Sequence, residues 1–244
     1  MKIVSFTRLL YGSDYLGAVI KSTEDFSEQH IVMYTPVVSA GFHGTNEPCP
    51  DTRDDLMRIA RSAGGRRLLW TDTTAPGFET ALQMRPDADL FLELDADEII
   101  TPELADNIKA DFEAGLLTAH EYRLPFFHFW RSFRYACDDS SFPIRVYIPR
   151  GKPETVFYPA EKGRVLHFGY ARRLVDMQYK LLLSMHKPEF RPGWYEDVFL
   201  KFPERLTDLH PVSDNGFWNA FETEIAYNVP ALINHPYRHM PKIE

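Results

Sequence analysis

Two carboxylates stand two residues apart at the end of an apolar run, where residues 89–94 (DLFLEL) lead into Asp95, Ala96 and Asp97. Side chains at alternate positions of an extended chain point to the same side, so both carboxylates converge on one site. Two carboxylates that close share either a proton or a cation. Mg²⁺ and Mn²⁺ are commonly bound by one or two carboxylates together with substrate phosphates.

The motif therefore predicts a divalent-cation site for a diphosphate. We expect Asp97 to bind the metal directly, and Asp95 to contact a ribose or a metal-bound water. The alternative is that both aspartates only form the turn before the next helix. That helix is predicted to begin at Pro102 with Thr101 as its N-cap, and to end at Gly115.

The elements that must position the motif alternate between strand and helix. Strands are predicted at residues 2–6, 30–34, 67–71 and 89–94, and helices at 14–25, from 51 or 52 to 64, and after Pro76. This alternation is typical of a parallel sheet with helices on both faces. Such sheets bind ligands outside the carboxyl ends of their strands.

The second half of the chain is less regular. Aromatic and basic side chains alternate through residues 121–135, strands are predicted at 144–148 and 165–170, and a helix at 171–187. Residues 162–191 carry seven basic side chains against two acidic ones. This stretch predicts a positive patch for a phosphate-bearing partner, and the alternative is a solvated helix face.

Composition limits the classes of protein that fit. The 244 residues are 44% hydrophobic and 25% charged, which excludes a disordered chain. Twenty-seven basic against 35 acidic side chains give a net charge of -8, which disfavours general binding to polyanions. Two cysteines and no long apolar run favour a cytoplasmic protein without a transmembrane segment. We expect a single domain with two halves, 1–115 and 116–244.

Residues 92–104 (LELDADEIITPEL) resemble the metal-motif segment of family 2-type glycosyltransferases with the GT-A fold. The resemblance extends more loosely over about residues 1–187. It implies a GT-A-like α/β fold with a mostly parallel central sheet, helices on both faces and an aromatic-rich C-terminal acceptor region. It also implies that the protein uses Mn²⁺ or Mg²⁺ to move a hexosyl or pentosyl group from a nucleotide-diphosphate sugar to an acceptor hydroxyl.

The resemblance also assigns roles to residues. His167, in the strand end LHFGY (166–170), is similar to the histidine that many relatives use as a third metal ligand beside Asp95 and Asp97; the alternative is a core histidine. Nucleotide-binding residues are expected where the strands end, namely Phe6, Thr7, Arg8, Tyr34, Thr35 and Asp95; for Phe6 the alternative is a core residue. Acceptor-binding residues are expected in the aromatic and basic second half, namely Arg123, Trp130, Arg172 and Arg173.

An inverting transferase needs a base for the acceptor hydroxyl. The candidates are Asp138, Asp139, Glu161, Glu196 and Asp197. We favour Asp139, since it precedes the strand expected to flank the acceptor, and keep Glu161 and Glu196 beside it. For each of these carboxylates the alternative is a solvated surface position.

Three alternatives concern function. The acceptor is either a saccharide or lipid-linked glycan, or a modified base in DNA, since residues 167–172 (HFGYAR) loosely resemble glycosyltransferase-like proteins of phages. A non-catalytic nucleotide-sugar binder is a second class, because Tyr34, Thr35 and Pro36 lack the carboxylate that relatives keep there. A phosphohydrolase of the haloacid-dehalogenase type is disfavoured, because that family carries its Asp-x-Asp motif on the first strand.

Overall fold

The structure is a computed structural model that describes residues 1–37, 44–139, 142–213 and 218–244, with Asp139 described by its backbone only. In these ranges the strands are β1 (Ile3–Leu9), β2 (Gln29–Tyr34), β3 (Leu68–Asp72), β4 (Leu90–Glu93), β5 (Glu98–Ile100), β6 (Ala119–Arg123), β7 (Phe126–Trp130), β8 (Tyr135–Asp139), β9 (Ile144–Tyr147), β10 (Lys152–Phe157), β11 (Val165–Tyr170) and β12 (Ala220–Glu222). The α-helices are α1 (Leu16–Ser22), α2 (Arg53–Gly64), α3 (Phe78–Met84), α4 (Pro102–Glu113) and α5 (Leu174–Leu183).

Seven strands form the larger sheet, in the order β10-β6-β9-β4-β1-β2-β3. The first four strands of the chain pair in parallel, as predicted. The sheet as a whole is mixed rather than clearly mostly parallel, because β9 enters between β4 and β6 and pairs antiparallel with both. Both predicted halves of the chain contribute strands to it.

A second sheet of five strands has the order β12-β8-β7-β11-β5. It accommodates the aromatic stretch, in which β7 and β8 form an antiparallel pair. The three-residue β5 directly follows the Asp-Ala-Asp motif and pairs antiparallel with β11. This sheet was not predicted, because β5 is too short to show a periodic pattern.

Helices cover both faces of the larger sheet, as predicted. On one face Leu16 and Ile20 of α1 pack with Leu56 and Ala60 of α2. On the other face Ala81 of α3 packs in a separate cluster with the side chains of β1, β2 and β4. No helix within the described ranges is both long and apolar enough to cross a membrane.

Local signals set where two helices begin. Thr52 accepts a hydrogen bond from the Asp55 backbone N–H, and Thr101 accepts one from Leu104. Both are the N-caps, and Pro102 occupies the first turn of α4 as predicted. The capped start of α4 follows directly on β5, the three-residue strand after the Asp-Ala-Asp motif.

The two sheets meet at the motif. The Leu94 N–H donates to Phe6 O beside the end of β1, and the Phe168 N–H on β11 donates to Asp97 O at 2.8 Å. Asp97 is therefore held between the carboxyl edge of the larger sheet and the middle of β11. This junction brings residues of the second half of the chain to the ends of β1, β2 and β4.

Candidate functional site

A cavity of about 320 Å³ opens at the carboxyl edge of β1, β2 and β4. Segments after these three strands form one wall, and β11 with α5 forms the other. The lining residues are Arg8, Leu9, Leu10, Tyr11, Thr35, Val37, Pro76, Asp95, Ala96, Asp97, His167, Arg172, Lys180, Leu183 and Ser184. This is the edge at which open α/β sheets bind ligands.

Asp97 is buried at the centre of this cavity. Its Oδ1 lies 3.6 Å from His167 Nε2, and its Oδ2 lies 3.5 Å from Arg172 Nη1 and 3.6 Å from Lys180 Nζ. Burial alone would raise the pKa of Asp97, but the positive groups that face it, first among them Lys180, hold it well below its usual range. The carboxylate is therefore ionised at neutral pH.

His167 links Asp97 to a second imidazole. Its Nδ1 lies 2.6 Å from Nδ1 of His128, so one of the two nitrogens donates a proton to the other. Burial lowers the pKa of His167 well below its usual value, although Asp97 opposes this, so the ring is neutral. When His167 donates from Nδ1, its Nε2 lone pair is free on the Asp97 side to bind a cation.

Gly169 makes room for this arrangement. A Cβ at this position would lie 2.5 Å from His167 Nε2 and would also collide with Lys180 Nζ. Because real Cβ atoms do not approach so closely, any larger residue would displace the imidazole or the ammonium group. A residue larger than Gly169 would therefore shift two of the three side chains that face Asp97, namely His167 and Lys180.

Arg172 is fixed by a second buried carboxylate. Its Nη2 and Nε donate to Asp14 at 2.8 and 3.2 Å, and its guanidinium lies 5.0 Å from the centre of the Tyr11 ring. The Arg172 and Asp14 side chains are 3% and 2% exposed, so water competes little with the pair. The remaining nitrogen, Nη1, is the one that faces Asp97.

Asp95 lies between two guanidinium groups. Arg145 Nη2 donates to it at 2.8 Å and Arg8 Nη2 at 3.3 Å. Arg145 also donates to Glu98 at 2.7 and 2.6 Å, and Arg8 Nε lies 2.8 Å from Glu93. Asp95 is therefore one member of an ion-pair network, of which Arg8 and Asp95 line the cavity.

Burial and ion pairing act in opposite directions on the pKa of Glu98. Burial raises this pKa, whereas the positive charge of Arg145 lowers it. The Glu98 and Arg145 side chains are in direct contact, and only 2% and 9% of their surfaces are exposed to solvent. Such a pair is stable only while both partners are present.

Of the three predicted metal ligands, two face each other and the third is engaged in other ion pairs. Within the part of the chain that the structure describes, no three His, Cys, Asp or Glu side chains form a metal-binding group. Asp97 and His167 face each other, whereas the Asp95 carboxylate is occupied by Arg8 and Arg145. A cation shared with a diphosphate needs only one or two protein ligands. Asp97 and His167 fit that arrangement, and Asp95 does not offer a free ligand.

Three of the predicted nucleotide-binding residues line the cavity, namely Arg8, Thr35 and Asp95. Phe6 is instead buried against Phe91 and Tyr147. Thr7 is buried and its hydroxyl lies 3.1 Å from His30 Nε2. Both predictions are corrected here, because Phe6 and Thr7 in the middle of β1 point into the packed faces of the sheet, and only its last residues, Arg8 and Leu9, line the cavity.

Tyr34, at the end of β2, lies outside the cavity lining. Its ring stacks on Trp70 at 5.8 Å, and the Arg53 guanidinium lies 6.0 Å from its centre. Tyr34 therefore belongs to a surface cluster at the β2–β3 edge in this structure.

The predicted acceptor residues do not form one surface. Trp130 is fully buried and stacks on Tyr170 at 4.8 Å, so it is a core residue. Arg172 lies inside the first cavity, Arg173 pairs with Asp176 at 2.7 Å, and Arg123 donates to Phe142 O at 2.9 Å. Burial and ion pairing therefore correct the prediction that these side chains jointly contact the acceptor.

Two of the candidate bases, Glu161 and Glu196, lie apart from the cavity. Glu161 is exposed in a short 3₁₀-helix (Ala160–Lys162), and Glu196 is exposed in a π-helical turn (Tyr195–Phe199). Neither lines the cavity around Asp97. Asp139 ends β8 opposite Phe126, and its side chain is outside the described part of the structure.

The basic stretch 162–191 is largely neutralised by acids elsewhere in the chain. The ion pairs are Lys162–Asp111, Arg164–Asp138, Arg172–Asp14, Arg173–Asp176 and Arg191–Asp208. Four of the five acidic partners lie outside residues 162–191. The count of charges within this stretch therefore overstated the positive charge at the surface. The predicted positive patch is not present as a free surface in the described residues.

Three residues around Asp95 and Asp97, namely Tyr11, Asp14 and Arg145, were not predicted to belong to the site, and Lys180 was predicted only as one of the basic residues of 162–191. For Lys180 a signal existed, because it is the lone basic residue in the otherwise mostly apolar run of α5. For Arg145 and Asp14 the sequence gives no such signal, since their partners are 47 and 158 residues away.

No family model matches this sequence, and no curated protein matches it either. In structure, the chain is similar to glucosyl-3-phosphoglycerate synthase of Mycobacterium tuberculosis in complex with Mg²⁺ and UDP, at 16% identity over 53% of this chain and 44% of that chain (TM-score 0.34). It is also similar to S. aureus TarS (residues 1–349), at 13% identity over 61% of this chain and 47% of that chain (TM-score 0.37). A third similar structure is CMP:2-keto-3-deoxy-manno-octonic acid synthetase with CTP, at 14% identity over 69% of this chain and 72% of that chain (TM-score 0.33).

The chain thus spans less than half the length of the first two proteins. The likeness is therefore partial.

Proposed function

We propose that the protein is a glycosyltransferase that uses a nucleotide-diphosphate sugar and a divalent cation. The observation that carries this proposal is the position of Asp97. This ionised carboxylate lies inside a cavity at the carboxyl edge of the sheet, 3.6 Å from a neutral imidazole and with two fixed cations on its other oxygen.

The charges around the cavity suit a diphosphate. Arg8, Arg172 and Lys180 line it with Asp95 and Asp97, so the cationic and anionic side chains nearly balance. A diphosphate adds at least two negative charges, which a divalent cation on Asp97 and His167 would offset. The side-chain cations then provide hydrogen bonds to the phosphate oxygens, which are about twice as strong as those between neutral groups.

In the proposed reaction the acceptor oxygen forms a bond to the anomeric carbon while the bond from that carbon to the diphosphate breaks. The electron pair goes to the terminal phosphate oxygen, where negative charge develops. Arg8, Arg172 and Lys180 stabilise that charge from positions fixed before the reaction. The acceptor hydroxyl gives up its proton to a general base; the predicted base, Asp139, has its backbone opposite Phe126, at the end of the second sheet away from Tyr170.

A thermal-shift panel tests donor binding directly. UDP, GDP, ADP, CDP and dTDP are each added at saturating concentration with Mn²⁺, and again with EDTA. We expect one nucleotide with Mn²⁺ to stabilise the fold by about 2.7 kcal/mol at 100 times its Kd, a Tm increase of roughly 5–10 °C for a chain of this length. Inorganic phosphate with Mn²⁺ is the control. A flat Tm across the whole panel would contradict the proposal.

His167→Ala is expected to weaken nucleotide binding only when metal is present. The affinity measured by calorimetry with Mn²⁺ should fall about tenfold or more, the usual effect of altering a metal-binding residue or its support, while the affinity in EDTA stays unchanged. The control is His239→Ala, an exposed histidine away from the cavity. An equal loss of affinity with and without Mn²⁺ would show that His167 serves the fold and not the ion.

A further inference from the structure

A second cavity, of about 310 Å³, adjoins the first. Lys180 in the last turn of α5 and Ser184 just after the helix, both half-buried, line both cavities. The other walls come from Tyr170 at the end of β11 and from the C-terminal region. The lining residues are Tyr170, Met177, Lys180, Leu181, Ser184, His186, Glu189, Phe190, His210, Pro211, Val212 and Trp218.

Aromatic rings dominate this second cavity. The Trp218 ring lies 5.2 Å from Tyr170 and 4.5 Å from His210, both edge to face. Trp218 has a φ of 59°, a left-handed conformation that is unfavourable for a bulky side chain. Such strain persists where the surrounding contacts require a particular side-chain position. The indole is thus held as part of the cavity wall, with Phe190 as a further half-buried ring.

The second cavity carries little net charge. Lys180 directs its ammonium group to the first cavity, where it lies 3.6 Å from Asp97 and 3.4 Å from Gly169 O. Glu189 pairs with His186 at 3.2 Å. His210 Nδ1 accepts hydrogen bonds from the Val212 and Ser213 backbone N–H groups, so this nitrogen carries no proton and the ring is neutral.

These features fit the apolar face and hydroxyl groups of a sugar ring. An anionic acceptor would require unpaired cations, whereas five basic side chains of residues 162–191 are engaged by carboxylates. Aromatic rings offer apolar area with defined geometry, and Ser184 and the His186–Glu189 pair offer hydrogen-bonding groups for hydroxyls. An aromatic cavity with few polar groups is the usual form of a small-molecule site.

We infer that the second cavity binds a neutral saccharide unit of the acceptor and presents its hydroxyl to the donor past Lys180 and Ser184. This inference rests on the proposed function, because it places the acceptor beside the diphosphate cavity. Among the acceptors that the sequence left possible, it favours a saccharide over a DNA base or a lipid phosphate.

The test measures saccharide binding without using transfer activity. Saturation-transfer-difference NMR is recorded on the full chain with the methyl glycosides of glucose, galactose, mannose and N-acetylglucosamine. Glucose 6-phosphate and a short single-stranded oligonucleotide are the anionic ligands for comparison. Val212→Trp fills the second cavity, and Phe190→Ala removes one of its rings; neither residue lines the first cavity. Phe157→Ala, an exposed aromatic on β10, is the matched control.

We expect the wild-type chain and Phe157→Ala to bind at least one glycoside equally. Phe190→Ala should bind it about tenfold more weakly, the change expected from losing one aromatic contact of about 1.4 kcal/mol. Val212→Trp should lose the signal. If that variant does not fold, Phe190→Ala decides alone.

The inference is overturned if no glycoside binds the wild-type chain, if Phe190→Ala binds as the wild type does, or if an anionic ligand binds more tightly than its neutral counterpart. Nucleotide-diphosphate binding with Mn²⁺ is measured on the same samples. Its absence contradicts the proposed function, whereas its presence without glycoside binding contradicts the acceptor assignment alone.

Discussion

Asp97→Asn is expected to lower the rate of sugar transfer, or of nucleotide-sugar hydrolysis, by about 10²–10³-fold, as removal of a group that stabilises transition-state charge does. The amide keeps the shape of the carboxylate but loses the charge that would bind a cation. The rate is measured as release of nucleoside diphosphate with Mn²⁺, using the nucleotide identified by the thermal-shift panel.

The same variant should remain folded. Arg172 keeps its two hydrogen bonds to Asp14, at 2.8 and 3.2 Å, so no buried guanidinium is left without a partner. Asp106→Asn, an exposed carboxylate on α4, is the control and should keep the wild-type rate. The metal role of Asp97 is refuted if its variant turns over at the wild-type rate, or if the wild-type chain is fully active in EDTA.

Arg145→Met should cost about 3–5 kcal/mol of unfolding free energy, because it leaves the buried Glu98 carboxylate without its partner. For a chain of this length the Tm would fall by roughly 10 °C. Thermal unfolding at neutral pH measures the loss. Arg150→Met, an exposed arginine just after β9, is the matched control and should unfold as the wild type does.

The pH dependence of this loss has a defined sign. Burial raises the pKa of Glu98, and removal of Arg145 raises it further because the opposing charge is gone. A carboxyl group whose pKa is raised in the folded state contributes stability below its unfolded pKa, about 4.3. That contribution is lost as the pH rises through the folded-state pKa. The difference in stability between Arg145→Met and the wild type should therefore shrink as the pH falls from 8 toward 5.

A double variant separates charge from packing. Arg145→Met with Glu98→Gln has no buried charge at this position, so it should recover part of the lost stability. If the double variant is as unstable as Arg145→Met, the loss comes from packing against Phe126, whose ring lies 5.5 Å from the guanidinium.

The sequence by itself determined the local part of this site. The apolar run of β4, the Asp-Ala-Asp motif after it and the Thr101 cap of α4 depend on neighbouring residues, and all lie where the pattern predicted them. The parallel order of the first four strands follows from their helical connections in the same way. These features set Asp97 at the carboxyl edge of the sheet.

Only the tertiary structure decided what surrounds Asp97. β9 inserts antiparallel beside β4. β11 pairs with β5, and this pairing brings His167 next to Asp97, which lies 70 residues earlier in the chain. The pairing of Arg172 with Asp14 spans 158 residues, and the neutralised basic stretch depends on acids distributed along the chain. Such contacts form because packing and desolvation favour them in the folded state, and neither hydrophobic period nor residue spacing records which distant charges will meet.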